Sequence, residues 1–207
     1  MNYLAHVYLA DDSPLSLLGN LMGDFVKGRD RLNLLPVELQ RGVRLHRHID
    51  SFTDHHPTVH RAIRRISGNW GWYSGIILDV YFDHLLTLEW DRWSDLPLRD
   101  FCDHVYDLLR THPDVLDTEM REMGEALIRN DRLMSYSKLD GIEEALRRIS
   151  IMMTLRMPHK PIRLQDAMPE LALHHDAIRA DFDAFFPELI AFAHAKNCEL
   201  GYVAVAV

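Results

Sequence analysis

The chain has 207 residues, of which 47% are hydrophobic, 26% charged and 9% aromatic, which is the make-up of an ordinary soluble globular domain and excludes a disordered chain. A chain of this length can bury roughly 70% of the surface its unfolded form exposes, so its core needs no disulfide or structural metal. With 31 Asp and Glu against 23 Lys and Arg the formal charge is −8, which argues against general nucleic-acid binding, an affinity that comes from neutralising phosphates with basic residues.

Cys102 and Cys198 stand far apart in unrelated contexts, so neither a disulfide framework nor a cysteine metal site can be written and a reducing compartment is expected. The opening MNYLAHVYLADDSP has neither the positive start nor the cleavage site of a signal peptide. No apolar run approaches the ~20 residues of a membrane span. These features predict a cytoplasmic protein with no membrane association.

Helical punctuation dominates the chain. Ser13-Pro14 caps a run in which Leu15, Leu18, Leu21, Met22 and Phe25 recur at helical spacing until Gly28. A second helix is predicted from about Pro36 to Phe52, and a third from Pro57 to Gly68. The stretch from Trp72 to Trp93 reads as one long, mostly buried helix. Pro97 opens another that ends near His112, and Pro113 begins DVLDTEMREMGEALIRN. LDGIEEALRRISIMMTLRM follows as an amphipathic helix, the three prolines of MPHKPIRLQDAMP mark a loop, and a last helix runs from Glu170 or Asp176 to Lys196. GYVAVAV is left as a strand-like or disordered end. Without repeats or linkers, residues 1–207 read as one all-α domain, a single helical bundle.

Thirteen histidines are a large share for a chain without a His-rich tract, and their placement carries the functional reading. On a helical wheel RGVRLHRHIDSFTD puts Leu45, Ile49 and Phe52 on a core stripe. His46, Asp50 and Thr53 share the next sector, with Asp54 just beyond. Standing alone, such spacing is common and is more often a solvated polar face with i,i+4 pairs. In GIILDVYFDHLLTLEW, Asp79 and Asp83 stand one turn apart beside His84 in an otherwise apolar run. Burying an unpaired carboxylate costs several kcal/mol, so these carboxylates call for a cation, arginine bridges or a metal. Asp24 in GNLMGDF is similarly placed among apolar residues, with Gly19 and Gly23 permitting close approach of a helix or ligand, and His6 in NYLAHVYLA is the fourth feature. Imidazole and carboxylate donors without thiolates suit Mn²⁺ or Fe²⁺, or Mg²⁺ where oxygens predominate.

The ordered motifs NYLAHVYLA, LLGNLMGDFVKG, GVRLHRHIDSFTDHHP and LDVYFDHLL resemble the acyl carrier protein phosphodiesterase family. The likeness is dense in the N-terminal half and looser beyond it, through the helical pattern and FDAFFPEL. The resemblance implies an HD-phosphohydrolase-like helical enzyme that removes 4′-phosphopantetheine from holo-acyl carrier protein with Mn²⁺ or Mg²⁺. Carried over residue by residue, it assigns His46, Asp50, Asp79, Asp83 and Asp54 to metal, and Asp24, His6 and His84 to catalysis. Within that set Asp24 is the expected base or extra ligand, His6 a ligand or orienter, and His84 the partner that holds Asp83. HD enzymes carry adjacent His and Asp, whereas here His46 and Asp50 lie one turn apart, which implies a rearranged site. Where the family has an arginine-rich stretch, this chain reads MPHKP with His159 and Lys160. An acidic carrier calls for a basic face, and Lys27, Arg41, Arg44, Arg47, Arg61, Arg64 and Arg65 surround the motifs in sequence, although helix-surface arginines are commonplace. Two other readings share these residues: an HD-type phosphohydrolase for a nucleotide or other small phosphoester, and a helical adaptor whose His and Asp are structural.

Overall fold

Several helix starts fall where proline presets the first turn or a side chain satisfies a free N–H. The computed structural model describes residues 1–157 and 161–202. Asn2 accepts from the Tyr3 amide to open α1 (Tyr3–Tyr8), and Pro14 opens α2 (Pro14–Leu21). A 3₁₀ turn (Gly23–Phe25) leads to α3 (Gly28–Asn33) and the long α4 (Val37–His55). α5 (Pro57–Trp70) again starts on proline and is followed by α6 (Ser74–Leu88) and the single turn α7 (Trp90–Trp93). Then come α8 (Leu98–Thr111), α9 (Thr118–Arg129), the short α10 (Arg132–Ser135) and α11 (Leu139–Arg156). The chain ends with α12 (Met168–Leu173) and α13 (His175–Tyr202). Among the described residues there is no strand, and no helix is long and apolar enough to cross a membrane. The all-α architecture expected from the sequence is the observed one.

The single helix expected over 72–93 is broken. Gly71, at φ 53°, turns the chain ahead of α6, and α6 stops at Leu88, where Glu89 leaves the helical conformation at φ −122° and ψ 32°. Trp90 then folds back, its indole N–H on the Leu96 carbonyl at 2.7 Å. The helix expected from Pro113 likewise divides, because Asp117 caps α9 by accepting from the Met120 amide. The last helix extends past Lys196 to Tyr202, so it takes in the first two residues of GYVAVAV, whereas 203–207 lie outside the described residues. Of the expected 157–169 loop, residues 164–167 form a 3₁₀ turn, and Pro158, His159 and Lys160 lie outside the described residues.

α13 forms the spine of the core. Its Phe182, Phe185 and Phe186 are fully buried, with Phe82 of α6 5.5 Å from Phe182 between ring centroids. Each such side chain contributes on the order of 1.5–3 kcal/mol by leaving water. Of the expected α4 stripe, Leu45 and Ile49 are fully buried in this core and Phe52 packs partly buried against it. α2 and α4 cross with their backbones in contact: a Cβ on Gly42 would sit 1.8 Å from the Ser16 carbonyl oxygen, and one on Gly19 2.2 Å from that of Leu39. That crossing, open only to glycine, brings the end of α2 against the middle of α4, where the histidine and carboxylate of RLHRHID lie.

Candidate metal centre

His6 of α1 and His46 of α4 stack face to face, ring centroids 3.9 Å apart and planes 21° from parallel. Both aim Nε2 at Asp50, one turn beyond His46: His6 Nε2 lies 3.1 Å from Oδ1, and His46 Nε2 lies 3.1 Å from Oδ2. Two imidazole nitrogens and a carboxylate oxygen thus converge within 4.8 Å of one another. Gly23 makes room for this arrangement, since a Cβ there would be 2.3 Å from the His46 ring.

Asn20, buried at the end of α2, sets the tautomer of both rings. Its carbonyl oxygen can only accept, so His46 Nδ1, 2.9 Å away, is the N–H donor. Its side-chain amide donates to the His6 carbonyl at 2.7 Å, which turns Oδ1 toward His6 Nδ1 at 3.0 Å and makes that nitrogen a donor too. Both Nε2 atoms therefore offer lone pairs to a carboxylate, an arrangement that requires a proton or a cation between them. His46 Nε2 is buried without a well-formed hydrogen bond although two carboxylates are near. Imidazoles anchored through Nδ1 to amide oxygen are the usual support of metal-binding histidine, and the donor set suits a divalent ion.

The charges follow this geometry. Burial and the neighbouring His46 push the His6 imidazole down to about 4, despite Asp50. Burial also opposes charge on His46, but Asp24 and Asp50 outweigh it and lift that imidazole to about 9. Burial resists ionisation of Asp50 too, yet the two imidazoles hold its carboxyl well below the usual range. His46 holds Asp24 down as well. Without an ion, a proton on His46 balances the Asp50 charge.

The other expected ligands divide. Asp24, 67% exposed, stands at the open side of the cluster with Oδ1 3.6 Å from His46 Nε2. Asp79 Oδ1 accepts from the Met1 amino group at 3.0 Å, a group that also lies 3.9 Å from Asp50. Protein packed around Asp79 raises its pKa, which the Met1 charge opposes. Asp83 does not join the cluster: its oxygens accept the Leu4 amide at 2.8 Å and the Ala5 amide at 3.2 Å, closing the first turn of α1. Burial pushes its carboxyl up to about 7. Asp54 points to solvent in the last turn of α4. His84 does not hold Asp83, because its Nδ1 is bound to the Tyr136 carbonyl at 2.7 Å.

Much of the expected basic face is engaged in packing. Arg61 and Arg65 of α5 place their Nε atoms 2.6 and 2.7 Å from Asp181 of α13, a carboxylate only 2% exposed, and so tie two helices together. Arg41 pairs with Asp11 and reaches the Asn197 carbonyl. Arg47 donates to the Val26 carbonyl at 2.8 Å, holding the segment after Asp24. Lys27, Arg44 and Arg64 are exposed, with Arg44 bonded to Gln40 of its own helix.

Residues 1–189 match the family model described as acyl carrier protein phosphodiesterase. The chain is 33% identical over 202 residues to a Photorhabdus laumondii protein of that name, covering 95% of this chain and 97% of the relative. Proteins of the same name from Yersinia enterocolitica and Escherichia coli are 32% identical over 198 and 197 residues, in each case 95% of this chain and 100% and 99% of the relative. No solved structure matches the chain.

Proposed function

The chain belongs to the acyl carrier protein phosphodiesterase family, and from that premise we propose a divalent-metal phosphodiesterase that releases 4′-phosphopantetheine from holo-acyl carrier protein and leaves the apo form. The observation that carries the metal is the convergence of two Nε2 lone pairs on Asp50 while both Nδ1 atoms are committed to Asn20. His6, His46 and Asp50 would hold the ion, with Asp79 and Asp24 flanking them. Mn²⁺ suits this nitrogen and oxygen set best, with Mg²⁺ and Fe²⁺ as the other candidates.

A divalent ion, when bound, screens the negative charge of the phosphodiester and gives water an acidity near neutral in place of its usual pKa of 15.7. The chain's own residues supply the rest. Asn20 keeps both imidazoles turned toward Asp50. Asp24, exposed at the open side beside His46, is the carboxylate that would accept a proton from the attacking water. Asp83 fixes the first turn of α1 and thereby positions His6. The kinship with HD phosphohydrolases that the resemblance implies would need a rearranged pair, His46 and Asp50 standing one turn apart on α4. Lys27, Arg44, Arg47 and Arg64 remain as the basic residues that would meet an acidic carrier.

The test is intact-mass spectrometry of holo-acyl carrier protein incubated with the protein, with Mn²⁺ or with EDTA. The carrier should lose the mass of its phosphopantetheine arm with Mn²⁺ only. An unchanged carrier in both arms would reject the reading.

A further inference from the structure

Between the start of α1 and the helices α10 and α11 lies a cavity of about 290 Å³ walled by Asn2, Tyr3, Arg132, Tyr136 and Arg148 and, for the rest, by apolar side chains of α11. Two guanidinium groups face it with little to neutralise them. Arg132 Nε is buried and has no hydrogen-bond partner among the described residues. Arg148 has Glu144 at 3.7 Å, but that carboxylate is held at 2.6 Å by Arg147. Burial and the neighbouring Arg148 both disfavour the charge on Arg132. Two partly desolvated like charges side by side cost free energy that an arriving anion would offset.

Tyr3 joins this cavity to the cluster. It lies three residues before His6, on the same face of α1. Its residue lines the cavity together with Arg132 and Arg148, while burial raises its phenol pKa, Asp24 adds to that rise, and Arg132 and Arg148 oppose it. The lining offers two planar guanidinium forks, the Tyr3 hydroxyl and the Asn2 amide. That is more donors than the two oxygens of a carboxylate can use, and it suits a tetrahedral oxyanion.

We propose that Arg132 and Arg148 form a phosphate-binding subsite that holds the phosphoryl group of the substrate or of the released phosphoester beside the His6, His46 and Asp50 cluster. The proposal rests on the phosphodiesterase reading for its ligand and is tested apart from it. The full chain is titrated calorimetrically with inorganic phosphate, as isolated and again with EDTA, so that binding through an ion and binding through the arginines separate. Pantetheine and 4′-phosphopantetheine are compared in the same way.

Expected is phosphate binding that survives EDTA and weakens about tenfold or more in Arg132→Gln and in Arg148→Gln. Arg148→Lys, which keeps the charge but loses the fork, should fall between wild type and Arg148→Gln. 4′-Phosphopantetheine should bind and pantetheine should not. Cooperative unfolding and Mn²⁺ affinity should stay at wild-type values in both Gln variants, which separates a subsite from a packing role. Phosphate binding that is absent, that EDTA abolishes, or that both Gln variants leave unchanged would overturn the subsite, whatever the carrier mass assay shows. An intact carrier with EDTA-resistant, arginine-dependent phosphate binding would reject the carrier reading and retain the subsite.

Discussion

Asn20 accepts from His6 with its side chain and from His46 with its backbone carbonyl, so the two contacts respond differently to substitution. Asn20→Ala frees only the His6 ring, and Mn²⁺ affinity measured by calorimetry should fall about tenfold, the lower end of the range for losing such a support. Unchanged affinity would remove Asn20 from the account. The pH dependence follows from His46. Its imidazole, lifted to about 9, carries a proton that an ion must displace, whereas His6, pushed down to about 4, is already neutral. Apparent Mn²⁺ affinity should therefore rise about tenfold per pH unit between pH 6 and 9, with release of about one proton. Calorimetry in buffers of different ionisation enthalpy measures both, and a flat profile would contradict the assignment. His46 and Asp50 were legible in the sequence because a helix puts i and i+4 on one face. Asn20 was not, since nothing local distinguishes an asparagine that α4 will cross from one left in solvent. Arg132 and Arg148 escaped notice for the same reason, being remote in sequence from every motif.

Among the elements, α1 depends most on a distant partner. Six residues make a marginal helix, and Asp83, 79 positions from Leu4, accepts the two amides of its first turn. The apolar setting of LDVYFDHLL showed that Asp83 needed partners; that they would be backbone amides rather than an ion could be known only from the docking of α1 on α6. Because burial raises the Asp83 carboxyl to about 7, the native state retains its proton where the unfolded chain, at about 4, has released it. The resulting stability is present below about pH 4 and declines as pH rises to about 7. Urea unfolding of EDTA-treated protein at pH 5 and pH 7.5 should show wild type losing stability relative to Asp83→Asn. Parallel behaviour of the two would refute this. α5 and α13 are joined by Asp181 between Arg61 and Arg65. Asp181→Ala leaves two arginines without their acceptor and should cost about 2–3 kcal/mol in urea unfolding, without changing Mn²⁺ affinity. A loss below 0.5 kcal/mol would return both arginines to the pool available for the carrier. Helix breaks were less legible than helices: apolar spacing runs continuously through 72–93, yet α6 stops before Glu89 and Trp90 folds back onto the Leu96 carbonyl.

At the scale of the molecule, one helical core around α13 holds three sequence-distant pieces, α1, the end of α2 and α4, so that two histidines and an aspartate meet under an open side marked by Asp24. Proline and glycine punctuation together with apolar period made the all-α class readable, because those signals are local. The −8 balance hid how its basic residues are deployed, since ion pairing inside the fold is decided by tertiary neighbours. The central claim is that His6, His46 and Asp50 hold the ion on which turnover depends. Its most direct test is Mn²⁺ binding by electron paramagnetic resonance, run beside the carrier mass assay, for wild type, His46→Ala and Asp50→Ala. The account predicts one tight site and turnover in wild type, both lost in the two variants while helical circular dichroism is kept. Tight Mn²⁺ binding and turnover persisting in both variants would contradict it.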